Sequence, residues 1–156
     1  MSNVSQETYA EGLELEIIRD FDAPPEMVFD AWTNVDALKA WMGPVSRKCP
    51  SAEANPTVGG DYCFPMEIED GETSTVVGTY TIIDRPTRLA FTWSWLQEDG
   101  SIGHPMHVSL EFEPLGDNQT RLKMLHVNLA TEEAKIAHNE GWVGCFSCLD
   151  EYLRTT

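Results

Sequence analysis

A punctuated two-residue period runs through the middle of the chain, and it constrains the fold more than any other feature. Gly59-Gly60, Asp70-Gly71, Arg85-Pro86, Asp99-Gly100 and Gly116-Asp117 separate β-rich runs of hairpin length, which is the pattern of an antiparallel meander. Alternation within the runs assigns their faces. Tyr62, Phe64 and Met66 share one parity, as do Leu89, Phe91, Trp93 and Trp95, then Met106, Val108, Leu110 and Phe112, then Leu122, Met124 and His126. Glu111, Glu113, Arg121 and Lys123 take the opposite, wet parity. A sheet with one face so rich in large apolar groups needs a cover.

The last segment supplies that cover. Thr131 suits a helix N-cap, Glu132 and Glu133 suit the positive end, and the helical pattern runs to about Leu153. At 100° per residue, His138, Trp142, Cys145, Phe146, Leu149, Tyr152 and Leu153 fall on one stripe, with Cys148 at its border. Gly141 flanks the stripe, where it would permit a bend or a close approach. Ahead of the meander, Leu13 to Phe21 alternates as a half-buried strand that Ala23-Pro24-Pro25 stops. Val28, Phe29 and Trp32 then form the apolar stripe of a short helix. Thr33-Asn34 ends it and caps a second, whose Leu38 and Trp41 turn inward before Gly43-Pro44. The class is therefore α+β, with one domain over 13–156 and a flexible N-terminal segment over 1–12.

Charge narrows the partners. Acidic residues number 26 against 10 basic ones, a formal charge of −16. Nucleic acid is not an expected partner, because phosphate binding needs clustered Lys and Arg. An anionic membrane surface is disfavoured for the same reason, and no apolar run is long enough to insert into a bilayer. The polar, acidic stretch from Met1 to Gly12 lacks the features of a signal peptide, so a cytoplasmic location is expected. The cysteines are Cys49, Cys63, Cys145 and Cys148, and free thiols are expected in that compartment. Cys145 and Cys148 have metal-motif spacing, but two ligands do not close a tetrahedral site, so no metal is expected. No phosphate loop, HExxH or nucleotide fingerprint occurs, and no cofactor is expected.

Particular words now fit this frame. The run from Arg19 to Thr33, Trp41-Met42-Gly43-Pro44, Val58-Gly59-Gly60, Gly78-Thr79-Tyr80, the run from Arg88 to Trp93, and His138-Asn139-Glu140-Gly141-Trp142 stand in order between Leu13 and Leu153. Together they resemble the activator-of-Hsp90-ATPase homologue family of the START-like (SRPBCC) superfamily. The resemblance implies a helix-grip, Bet v 1-like fold: a curved antiparallel sheet wrapped around a long C-terminal helix, two short helices after the first strand, and a deep apolar cavity. It also implies contact with the Hsp90 chaperone as one role. The eukaryotic activators carry an additional N-terminal domain for which this chain has no room, so only slight stimulation of the chaperone is expected.

The cavity implied by that fold directs attention to inward-facing groups. Phe64, Met66, Trp93, Trp95, Met124 and Trp142 offer broad apolar surface, and His126 and His138 are the polar groups nearest to it. A carrier of a small hydrophobic molecule or lipid is the first expectation. An enzyme of cyclase- or hydrolase-like type, with His126 or His138 as general base, is the second, and a module regulating the Hsp90 ATPase the third. Arg19, inward on the first strand, should find a carboxylate or carbonyls. His104 and His107 are expected in water, and Trp41 and Pro44 would anchor the second helix or form a lid edge.

Overall fold

The structure, a computed structural model, describes residues 12–43, 49, 51–69 and 72–155, and the side chains of 68 and 69 are left aside. The N-terminal segment up to residue 11, Pro44 and the Asp70-Gly71 turn fall outside the described residues. Strand β1 (Leu13–Phe21) leads into helices α1 (Pro25–Thr33) and α2 (Val35–Trp41). Strands β2 (Glu53–Ala54), β3 (Asp61–Glu69), β4 (Glu72–Asp84), β5 (Arg88–Trp95), β6 (Met106–Gly116) and β7 (Gln119–Leu129) follow, and helix α3 (Glu132–Arg154) ends the order. The strands form one seven-stranded antiparallel sheet in the order β1-β7-β6-β5-β4-β3-β2, which curves around α3 as a helix-grip fold.

Local chemistry accounts for the helix boundaries. Pro25 fixes φ where no intrahelical N–H is needed, and Asn34 ends α1 while its side chain accepts from Ala37 N of α2. Thr131 accepts from Ala134 N and so caps α3, behind Glu132 and Glu133. The buried side of α3 carries Trp142, Cys145, Phe146, Cys148, Leu149 and Leu153. Gly141 does not permit a close approach, because a methyl group there would meet nothing within 4 Å.

The inward parities hold through the core strands, although Ala90, Ser94 and Val127 on the other parity are buried as well. Phe64, Met66, Phe91, Trp93, Val108, Leu110, Leu122, Met124 and His126 are buried, and Glu111 and Glu113 are exposed. Pro65 sits in β3 beyond the short β2 pairing, where a missing N–H costs no ladder bond. Gly78 pairs with Tyr62, and a methyl there would stand 2.1 Å from the Thr92 carbonyl oxygen and 2.5 Å from the Tyr62 ring. The glycine is what lets that ring lie across β4. In β7, Asn128 takes a left-handed φ of 67° beside the register shift in β1, a conformation that asparagine tolerates. Arg19 finds the partners expected of it: it donates to Ser147 Oγ at 3.4 Å, stands 3.8 Å from Asp150 and lies over the Phe21 ring. That contact ties the edge strand to α3. Among the described residues, no helix is long and apolar enough to cross a membrane.

Candidate functional site

Where α3 lies over β5 and β7, two histidines are locked by two tryptophans. The Trp142 indole N–H donates to His126 Nδ1 at 3.0 Å, and the Trp95 indole N–H donates to His138 Nε2 at 3.0 Å. An indole N–H only donates, so the accepting nitrogen of each imidazole is unprotonated and the other carries the hydrogen. His126 Nε2 then faces Met106 Sδ at 3.3 Å, and His138 Nδ1 donates to the Ala134 carbonyl at 2.8 Å. Both rings are neutral and fully engaged within the protein. Burial, with the neighbouring His138 and His107 rings, pushes His126 down to about 3, and burial also lowers His138. A general base needs a free ring nitrogen within reach of its proton, and neither histidine offers one in this arrangement.

Below the histidines the inner face is a continuous aromatic layer. Trp93 packs on Trp142 with ring centroids 4.8 Å apart, and Trp142 meets Trp32 at 5.9 Å and Phe146 at 6.0 Å. Tyr62 stacks on Phe64 at 4.6 Å and adjoins Tyr80 and Phe91. The deep cavity implied by the resemblance is therefore filled by side chains among the described residues. Between Trp32, Tyr62, Phe64, Tyr80 and Phe91 the rings leave a space too narrow for a water molecule.

Three polar atoms of this layer lack what buried polar atoms normally have. Trp32 Nε1, Tyr80 Oη and Trp93 Nε1 are buried and have no hydrogen-bond partner among the described residues. Other polar groups of the core are paired: Tyr62 Oη donates to the Thr92 carbonyl, and Trp41 Nε1 donates to the Ala31 carbonyl at 2.8 Å. Burial pushes the Tyr80 phenol up to about 12, so it remains a donor at any ordinary pH.

Of the residues singled out from sequence, the structure brings Trp93, Trp95, His126, His138 and Trp142 into one connected cluster. Phe64 joins through Tyr62, and Met66 and Met124 are buried in the same core. Trp32 and Tyr80 were not among the site residues that parity singled out, although both line the remaining space. Tyr80 had a signal in its shared parity with Val76 and Gly78 on one strand. His107 is not in water: it is half-buried, with Thr81 Oγ1 3.1 Å from its Nε2. His104 Nε2 lies 2.7 Å from the Asn128 carbonyl. Burial is the chief cause that raises the Cys145 thiol to about 12, and Cys148 Sγ donates to the Gly43 carbonyl at 3.4 Å. Both thiols thus behave as core groups.

Comparison with known proteins places this arrangement. None of the curated proteins matches the chain significantly. Among solved structures, the AHSA1 protein of Silicibacter pomeroyi is 28% identical with a TM-score of 0.81, over 92% of this chain and 99% of that one. A protein of Arthrobacter aurescens is 26% identical with a TM-score of 0.77, over 94% and 88% of the two chains. An HSP90 activator of Plasmodium falciparum is 27% identical with a TM-score of 0.55, over 75% and 74%. The family model described as activator of Hsp90 ATPase homolog 1-like protein matches residues 22–154, from the end of β1 to the last turn of α3. With that model spanning both short helices, the meander and the gripped helix, the chain belongs to the activator of Hsp90 ATPase homolog 1-like family of START-like proteins.

Proposed function

We propose that this domain holds a small, largely apolar ligand bearing a hydrogen-bond acceptor. The ligand lies between sheet and α3, against Trp93, Trp142 and Phe64, with Trp32 and Tyr80 as donors beside it. The observation that supports this reading is the set of three unpaired donors in one aromatic layer. Each such orphan costs about 1–3 kcal/mol, against a typical domain stability of about 5–15 kcal/mol. Trp32 and Tyr80 line one space, and a fold that keeps both unpaired there gives up stability that an acceptor between them would return. The ring contact of Trp93 with Trp142 counts against a standing cavity, so the ligand enters by parting the rings.

The neutral fluorophore N-phenyl-1-naphthylamine tests the reading. Its emission should rise saturably with the folded protein, and a rise that is linear and unsaturable overturns the carrier function. Tyr80→Phe removes one orphan without changing the ring. It should stabilise the unliganded protein by about 1–3 kcal/mol in urea unfolding. A loss of stability instead would mean that the hydroxyl is satisfied and the orphan argument is unsound.

A second reading, regulation of an Hsp90 ATPase, draws support from the family model and from the likeness to the Plasmodium falciparum HSP90 activator. Stimulation of a cognate chaperone ATPase, measured at stoichiometric protein, tests this reading. Strong stimulation would put this role ahead of ligand carriage.

A further inference from the structure

We infer that the ligand class is an uncharged carbonyl compound, one whose oxygen accepts from the buried indole and phenol donors, and not a carboxylate or phosphate. The inference rests on the carrier reading and concerns the same space. Its first support is the type of donor. Trp32 Nε1, on the wall of that space, donates and never accepts, and it is unpaired, so the complementary group on the ligand is an acceptor. An ammonium, which has no lone pair, would leave the indole as it is.

The second support is that no positive charge among the described residues is buried where it could balance an anion. Apart from tryptophans, tyrosines and thiols, the buried polar side chains among the described residues are Ser94, Thr120 and His126, and none of the described Lys or Arg residues is buried. Arg19, the cation closest to the core by parity, is held by Asp150 and Ser147 at the edge strand. His126 and His138 are both neutral, because each accepts an indole N–H on one nitrogen. An ionised headgroup placed here would meet neutral donors and no buried counter-charge among the described residues, in a protein of net charge −16. The aromatic walls then favour a flat, conjugated body over a flexible alkyl chain.

Three naphthalenes of similar size separate the possibilities: 2-acetylnaphthalene, 2-ethylnaphthalene and 2-naphthoate, each titrated into the full chain at pH 7.5 with tryptophan emission as readout. The ketone should bind about 3–10-fold more tightly than the ethyl compound for each hydrogen bond it gains. The naphthoate should bind at least about tenfold more weakly than the ketone and should recover as pH falls toward its own carboxyl range, because only the neutral acid enters. A naphthoate as tight as the ketone at pH 7.5, or a ketone no tighter than 2-ethylnaphthalene, overturns the inference and leaves the carrier reading standing. Saturable binding of N-phenyl-1-naphthylamine without any binding of the ketone does the same. Failure of all three together with N-phenyl-1-naphthylamine overturns the carrier reading itself.

Discussion

Replacing Trp142 by alanine should lower the stability of the domain by about 3–5 kcal/mol, the usual cost of deleting a large aromatic side chain from a core. The side chain is 3% exposed and joins the two halves of the aromatic layer, with Trp93 on one side and Trp32 and Phe146 on the other. Its removal opens a void lined by rigid rings that cannot collapse far. It also strips His126 Nδ1 of its donor, in a place that water does not reach. Trp142→Phe separates the two contributions, since it keeps an aromatic ring but loses the N–H. It should cost about 1–3 kcal/mol, chiefly the unpaired acceptor on His126. Equilibrium urea unfolding of the three proteins measures the series. A loss under about 1 kcal/mol for the alanine variant would mean that α3 is not held by this contact, and the gripped-helix packing would have to be redrawn.

The reason so much of this fold can be read from sequence is that a half-buried sheet leaves parity no freedom. Shifting β7 by one residue would turn Leu122, Met124 and His126 into water and Arg121 and Lys123 into the core. Caps work in the same local way: Asn34 and Thr131 act within three residues of themselves, so their roles are visible in a short window. The site is less legible because parity tells which way a side chain points but not what meets it there. Parity turns Trp93 and Trp142 inward, yet only the three-dimensional packing shows their rings in contact. The partners of the histidines are likewise nonlocal. His126 is bonded by an indole 16 residues away and His138 by one 43 residues away, and no local pattern announces either pairing. His107 illustrates the converse error. It sits on the outer face by parity, but it is half-buried, with Thr81 of β4 against it across the width of β5.

The histidine lock should also make the domain acid-labile in a defined window. His126 ordinarily titrates near 6.5, and in the folded protein burial pushes it down to about 3, with the His138 and His107 rings adding to the shift. Above pH 6.5 the group is neutral in both folded and unfolded chains and stability does not depend on it. Below that value the unfolded chain takes up a proton that the folded chain refuses, so stability falls as pH falls, until the folded group protonates near pH 3. The full span sets an upper bound of about 5 kcal/mol, with a slope of up to ~1.4 kcal/mol per pH unit. Burial lowers His138 as well, so it adds to the slope in the same direction. Structurally, a proton on His126 Nδ1 would set an imidazolium N–H against the Trp142 indole N–H, two donors with no acceptor between them. Acidification also relieves the repulsion of a chain carrying −16, which acts in the opposite direction, but that relief begins only where carboxylates titrate, below about pH 5. The histidines therefore dominate between pH 6.5 and 5. Urea unfolding across that interval should show stability dropping by about 1–2 kcal/mol in the native sequence. His126→Gln offers an amide oxygen to the same indole and has no proton to gain, so its stability should vary less over the interval, leaving only the share of the other histidines. A native protein whose stability is flat from pH 7 to pH 5 would show that His126 is hydrated when folded, and the buried imidazole–indole bond could not then be what fastens α3 to the sheet.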